Sequence, residues 1–382
     1  MPLSFPSVVQ ADTTVDTKAD TKADTKAVNA CWSQSIATPK LVHINSNLFV
    51  SAFSVMKVLP AIHIIKKAME RQEITARSTI VETSSGTFAL GLAIVCNELG
   101  LPLFIASDPA IDQRLKNRLE SLKARVHIVE QPAPGGGYQK PRLDVVKRFL
   151  ASDPNAYWTK QYDNADNPDS YRSFADYLIQ TFGNDFTLVG TVGSGGSTVG
   201  TIRHLRRVNS NIQLVGVDTY NSVLFGLPDG HRLLRGLGNS IMPNNLDHTC
   251  YDEVHWVSAE QAFLATHRLH TQHSVFGGPT SGAAYMVAQH IAKQHPERTV
   301  VFIGADDGER YLNTVFSHQW LAEKGIVLSD VMPCTQPRTV ASLDQVSARH
   351  APWTCLPWQR RSLKTIMAER FVSTSHSVLC PQ

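Results

Sequence analysis

The sequence predicts an α/β protein built as two open-sheet lobes. Three observations predict it. Short β-branched runs alternate with stretches of helical apolar spacing, the alternation comes in two separate sets, and in each set a strand passes through a Gly/Ser-rich turn into a helix. Such runs are near-continuously apolar, as expected of parallel strands covered on both faces.

The first set opens with Ser78-Thr-Ile-Val-Glu-Thr as a strand and 88–99 as a helix. The strand Leu103-Phe-Ile-Ala-Ser, an amphipathic helix over 111–124 and the strand Val126-His-Ile-Val-Glu follow, and a helix over 169–182 closes the set. The second set begins with the strand Thr187-Leu-Val-Gly-Thr-Val and a helix from about Ser197. It continues with the strand Gln213-Leu-Val-Gly-Val-Asp, helices over 259–269 and 281–293, and the strand Thr299-Val-Val-Phe-Ile-Gly. The two-lobed unit is expected over 35–324, with the smaller lobe at about 75–185. Residues 16–27 repeat Asp-Thr-Lys-Ala with no large apolar side chain, so 1–34 is expected to be a disordered extension. The stretch 325–382 mixes Pro, Ser and Thr with Trp353 and Trp358; only 363–371 is amphipathic enough to pack on the body.

Composition narrows the function classes. At 42% hydrophobic and 18% charged over 382 residues, the chain can bury a large core. A net charge of +3 without a Lys/Arg block gives no nucleic-acid footprint. No apolar run approaches about 18 residues, so no membrane span is expected. The start, Met1-Pro-Leu-Ser-Phe-Pro, lacks the charged and apolar regions of a signal peptide. The six cysteines (Cys31, Cys96, Cys250, Cys334, Cys355, Cys380) form no C-x-x-C pair and read as free thiols in a reducing compartment. The expectation is a cytoplasmic enzyme.

Four segments carry chemistry. Gly193-Ser-Gly-Gly-Ser197 lies between an apolar strand and a helix: its glycines let successive N–H groups face an anion, Ser194 and Ser197 add hydroxyls, and the helix adds its N-terminal dipole. A plain strand-to-helix turn or a dinucleotide loop fits the same letters, whereas a Walker A loop is excluded for want of Gly-Lys-Ser/Thr. Glu82-Thr-Ser-Ser-Gly-Thr87 repeats the strand-to-helix arrangement; Ser84, Ser85 and the N–H groups around Gly86 suit a carboxylate, or merely cap the helix. Gly277-Gly-Pro-Thr280-Ser281-Gly starts a helix, and Asp306-Asp-Gly-Glu-Arg-Tyr follows the last strand.

In this order and spacing the four segments resemble the cysteine synthase/cystathionine β-synthase family of pyridoxal 5′-phosphate enzymes. Its motifs are T-S-G-N-T-G, G-T-G-G-T, S-S-G-A-A and D-S-G-E-R-Y-L-S-T; here they stand as Ser84-Ser-Gly-Thr-Phe-Ala, Gly193–Ser197, Thr280-Ser-Gly-Ala-Ala and Asp307-Gly-Glu-Arg-Tyr-Leu-Asn-Thr. The segments Gly136-Gly-Tyr-x-x-x-Arg142, Ala156-Tyr-Trp-x-x-Gln-Tyr162, Asn221-Ser-Val-Leu-Phe-Gly and Ser317-x-x-Trp-Leu321 are similar to one branch. That branch joins O-phospho-L-serine to L-glutamate en route to 2,3-diaminopropionate for siderophores.

The resemblance implies fold type II (tryptophan synthase β-like), pyridoxal phosphate, a homodimer, and small amino acids as partners. It implies β-replacement through an aminoacrylate. Ser54-Val-Met-Lys57-Val-Leu-Pro-Ala matches the family's G-S-x-K-D-R-P-A and selects Lys57 as the Schiff-base lysine, with Val55, Val58 and Leu59 departing from the pattern. Read alone, Lys57 is either a desolvated nucleophile or a snorkelling surface lysine. Gly193, Ser194, Gly195, Gly196 and Ser197 would hold the cofactor phosphate, Thr87 (Asn in the family) its ring oxygen, and Thr280 its ring nitrogen. Ser84, Ser85, Gly86 and Gln161 would hold the substrate carboxylate. Arg142 and Tyr162 would bind a phosphate leaving group, favouring O-phosphoserine over O-acetylserine, unless Arg142 only caps its helix. The rival readings are a cysteine synthase using sulfide, a catalytically silent relative kept for partner binding, and a metal protein on His267, His270 and His273. No carboxylate or thiol completes that last set, so no metal is expected.

Overall fold

Buried apolar runs too short for helices give the chain its strands. The computed structural model describes residues 31–133, 137–234 and 236–375, with side chains up to 369. The repeat at 16–27, Gly136 and Cys380 lie outside the described residues. In chain order the strands are β1 (Lys40–Asn45), β2 (Leu48–Ala52), β3 (Thr79–Thr83), β4 (Leu103–Ser107), β5 (Arg125–Ile128) and β6 (Ala156–Trp158). Then come β7 (Thr187–Thr191), β8 (Gln213–Thr219), β9 (Glu253–Val257), β10 (Val300–Gly304), β11 (Arg338–Thr339) and β12 (Trp353–Pro357). They form two sheets, a four-stranded one ordered β5-β4-β3-β6 and an eight-stranded one ordered β1-β2-β10-β7-β8-β9-β12-β11.

The small sheet is wholly parallel, and every residue of β4 is buried. Parallel pairing needs crossovers, and the helices supply them. α1 (Trp32–Ser35) precedes β1; α2 (Val58–Glu70), α3 (Thr87–Leu99), α4 (Gln113–Ser121) and α5 (Gln139–Ser152) belong to the small lobe. α3 is apolar on nearly all sides and ends at Gly100, whose φ of 68° closes the helix while Leu101 N–H donates back to the Cys96 carbonyl at 2.8 Å. α4 begins at Asp112, whose carboxylate accepts from Leu115 N–H at 3.1 Å.

In the large sheet β2, β10, β7, β8 and β9 run parallel, flanked by antiparallel β1 and β12. One face carries α6 (Asp166–Asp169), α7 (Arg172–Phe182) and α8 (Gly196–Leu205); the other carries α9 (Ala259–His273) and α10 (Pro279–Gln294). α11 (His318–Glu323) and α12 (Leu363–Ser375) complete the α-helices among the described residues. None of these helices is long and apolar enough to cross a membrane.

Three boundaries differ from expectation. Phe174, Ala175 and Leu178 of α7 share a core with Leu188 and Leu214 of the large sheet, so the small lobe stops short of 185. Trp32–Ser35 is helical, and Ser33 N–H donates to Glu98 Oε1 at 2.8 Å, so order begins before 35. Residues 325–375 are not appended to the unit but built into it. β12 pairs with β9, and Trp353 and Trp358 are 1% and 0% exposed. Burying two indoles is worth on the order of 2–3 kcal/mol each, enough to anchor a segment whose sequence shows no periodicity.

Candidate active site

Backbone pairing places Lys57. Beyond β2 the chain stays zipped to the end of β10: Phe53 N–H donates to the Gly304 carbonyl at 2.8 Å and Met56 N–H to the Ala305 carbonyl at 2.9 Å. Lys57 then stands at the entry to α2, and α3 presses its Gly91 against it. A Cβ on Gly91 would lie 2.7 Å from the Lys57 carbonyl oxygen, closer than real Cβ atoms come to backbone. The Lys57 amine donates to Ser194 Oγ at 3.2 Å, and desolvation by burial lowers its pKa to about 8.

Ser194 belongs to the turn between β7 and α8. Gly195 takes a left-handed φ of 79° and packs a would-be Cβ 2.8 Å from Leu246 Cα, which only glycine accepts on both counts. Gly196 and Ser197 open α8, so its first N–H groups, which have no intrahelical partners, face out of the turn together with the buried Ser194 and Ser197 hydroxyls. Thr280 and Ser281 occupy the first turn of α10, after Pro279. Thr280 Oγ1 and Ser281 Oγ are buried and have no partner among the described residues.

In the small lobe, β3 delivers Ser84, Ser85 and Gly86 to the start of α3. Gly86 N–H donates to Ser84 Oγ at 3.2 Å, and Thr87 is the first helical residue. Gln161 follows β6 and is pinned on every side. Its N–H donates to Glu82 Oε2 at 3.1 Å, its side-chain amide to the Thr83 carbonyl at 3.1 Å, and its carbonyl accepts from Asn167 Nδ2 at 2.5 Å and Asn245 Nδ2 at 3.1 Å. The Tyr162 phenol is pushed up by burial, while the Arg142 charge pulls the other way; its hydroxyl bonds the Asn239 side chain. Asn239 Nδ2 also donates to the Gly193 carbonyl at 3.4 Å, tying this residue to the turn.

Direct contacts therefore join Lys57 to Ser194, Gln161 to the β3 end, and Tyr162 through Asn239 to Gly193. Arg142 is buried in α5, and its guanidinium donates to Asp108 Oδ2 at 2.8 Å and to Gln139 Oε1, which leaves Nε without a partner. Glu82, Asn167, Asn239 and Asn245 escaped the sequence reading. Only Glu82 carried a signal, a carboxylate inside an otherwise apolar strand.

The histidines of α9 face different neighbours. His267 Nε2 meets the Val315 carbonyl at 2.8 Å, His273 Nε2 meets Tyr285 Oη at 2.9 Å, and His270 packs against Phe276 and Phe316. They share no ligand point. Ligand atoms of Glu253, His255 and Cys355 do gather within 4.8 Å. His255 Nδ1, however, accepts from the Trp353 indole at 2.9 Å, which puts the neutral ring's proton on Nε2, 2.9 Å from Glu253 Oε1. A metal on Nε2 would need the opposite tautomer, in which Nδ1 donates.

The family described as "Pyridoxal-phosphate dependent enzyme" matches residues 50–306. The chain is 33% identical over 272 residues to N-(2-amino-2-carboxyethyl)-L-glutamate synthase of Ralstonia nicotianae, spanning 70% of this chain and 80% of that one. Its fold is similar to the O-acetylserine dependent cystathionine beta-synthase of Helicobacter pylori (TM-score 0.68, 24% identity, 75% of this chain and 98% of that one). It is also similar to O-ureido-L-serine synthase (TM-score 0.70, 21% identity, 77% of this chain and 99% of that one). The chain belongs to the pyridoxal-phosphate dependent enzyme family, has the two-lobed α/β architecture of its fold type II members, and is an enzyme whose cofactor is pyridoxal phosphate.

Proposed function

We propose that the enzyme catalyses β-replacement on a serine-derived amino acid, O-phospho-L-serine or O-acetyl-L-serine, with an amine such as L-glutamate as second substrate. The observation that carries the reading is the Lys57 amine, lowered to about 8 and held 3.2 Å from a hydroxyl of the Gly193–Ser197 turn. The name of the Ralstonia relative supports the amine.

The residues present fit the cofactor. The glycine turn at the α8 N-terminus suits its phosphate, and the orphaned Thr280 hydroxyl is a buried group in want of a partner, such as a ring nitrogen. When bound, the cofactor supplies the electron sink that lets the α-proton and then the β-substituent leave. The chain's own residues do the rest. Lys57 anchors the cofactor, then takes and returns the α-proton at Nζ, for which an amine of pKa near 8 is well matched to neutral pH. Thr87 holds the ring oxygen; Ser84, Ser85, Gly86 and Gln161 hold the substrate carboxylate. The Arg142 Nε–H and the Tyr162 hydroxyl are the donors assigned to a phosphate leaving group. The finer parts of the reading, a homodimer working toward 2,3-diaminopropionate and siderophores, rest on the sequence resemblance, and a cytoplasmic setting on the spaced cysteines.

The test pairs O-phospho-L-serine or O-acetyl-L-serine with L-glutamate or sulfide and identifies products by mass spectrometry. An L-glutamate adduct in preference to cysteine is expected, and borohydride trapping with peptide mapping places the label on Lys57. Cysteine alone refutes the amine; absence of any product and any label refutes the enzyme reading.

A further inference from the structure

Glu82, the fourth residue of β3, is 1% exposed, and four donors, from β3, β6 and the loop after β6, converge on its carboxylate. Oε1 accepts from Thr83 N–H at 2.6 Å and from the Trp158 indole at 3.4 Å. Oε2 accepts from the Thr159 hydroxyl at 2.6 Å and from Gln161 N–H at 3.1 Å. Three of these groups can only donate; together the four contacts offset part of the burial that pushes the carboxyl pKa up. One side of this clamp is the strand end that leads into Ser84–Gly86; the other is the residue that begins at Gln161. The Gln161 amide donates one hydrogen to the Thr83 carbonyl, across the same gap; in the β-replacement reading its second hydrogen is for the substrate carboxylate.

We propose that Glu82 is a positioning residue for the substrate α-carboxylate: it sets the spacing between the Ser84–Gly86 loop and Gln161 so that both engage the same carboxylate. The inference rests on the β-replacement reading, in which those residues hold that group. Glu82 itself touches neither substrate nor cofactor. It acts through the two backbone N–H groups it captures, and the Thr159 hydroxyl on Oε2 holds the carboxylate in the orientation that reaches them.

Two variants test it. Glu82→Gln keeps the size but turns an amide N–H₂ against at least one of the four donors. Thr159→Val removes a single donor, leaves both backbone contacts and keeps the question open to measurement if the first variant folds poorly. Each protein is loaded with pyridoxal phosphate, and loading is scored by borohydride trapping at Lys57. Dissociation constants are then read from the cofactor absorbance for two unreactive ligands, L-alanine and its carboxylate-free counterpart ethylamine. Glu82→Gln is expected to weaken L-alanine about tenfold and Thr159→Val about threefold, the range of one ordinary hydrogen bond, while ethylamine stays within about twofold. KM for O-phosphoserine should rise in step, with kcat within about threefold. Equal weakening of both ligands, or of neither, overturns the proposal and leaves Glu82 a stability residue. A wild-type chain that takes no label at Lys57 refutes the underlying reading instead, and this inference with it.

Discussion

The titration of Lys57 is the sharpest consequence of the structure. Its pKa falls from 10.5 to about 8 because burial penalises the charged amine. At pH 7 about one amine in ten is then neutral, against roughly one in 3000 for an ordinary lysine, a gain of about 300-fold in nucleophile. Competitive labelling of the cofactor-free protein with trace acetic anhydride from pH 6 to 11, read by peptide mapping, measures this directly. The exposed Lys66 supplies an internal reference. Lys57 labelling should reach half its plateau near pH 8. Because Ser194 Oγ accepts from the amine, Ser194→Ala removes support from the charged form and moves the midpoint down or leaves it in place. A wild-type midpoint above 10, or an upward move in Ser194→Ala, would refute desolvation as the cause. The sign for stability follows. The unfolded chain binds more protons than the folded one between pH 8 and 10.5, so Lys57 lowers stability below that window and stops doing so as pH rises through it.

Three further outcomes are expected. Gly91→Ala drives a methyl into the Lys57 carbonyl, where backbone cannot yield cheaply; it should cost about 1–3 kcal/mol in denaturant melts and reduce Lys57 labelling by pyridoxal phosphate. Arg142→Ala should raise KM for O-phosphoserine about tenfold and for O-acetylserine less than twofold, and lower Tm because Asp108 loses its ion pair; equal KM effects would end the leaving-group role. Asp218 is fully buried and pushed up from 3.8 to about 7, with Thr219 N–H and Ser222 bonding it and Arg232 nearby. The folded state therefore binds more protons between those values, so stability falls as pH rises through 3.8 to 7. Thermal melts should show Asp218→Asn gaining more over wild type at pH 8 than at pH 4, and a constant difference would contradict the shift.

The parallel interior of both sheets was legible because strands buried on both faces leave an unbroken apolar run, as in Leu103–Ser107 and Val300–Gly304. The Gly/Ser turns were legible because anion sites need particular residues at particular spacings. What stayed hidden is non-local. β1 is half exposed without alternation, and β9 buries His255 beside Trp256, so neither reads as a strand. β12 becomes a strand only by pairing with β9, about a hundred residues earlier. Glu82 meets its partners Trp158, Thr159 and Gln161 across a gap of more than 70 residues, which no local pattern records. The three α9 histidines mislead in the opposite sense, since shared spacing on a helix face says nothing of what packs over each ring.

The departures around Lys57 take on a different meaning once its scaffold is visible. Val55, Val58 and Leu59 replace the family's Ser, Asp and Arg, and on sequence grounds they motivate a silent relative. Yet the position of Lys57 depends on main-chain bonds, from Phe53 and Met56 to the carbonyls of Gly304 and Ala305 and from Asp307 N–H to the Ser54 carbonyl at 3.3 Å. Any L residue can supply these bonds. Val55, Val58 and Leu59 are all buried, at 4%, 0% and 7% exposure, so each packs into the apolar interior. A polar Asp-Arg pair at 58–59 would need its own hydrogen-bond partners in that space. The apolar replacements are therefore compatible with the main-chain placement of Lys57, and the motive for a silent relative is removed.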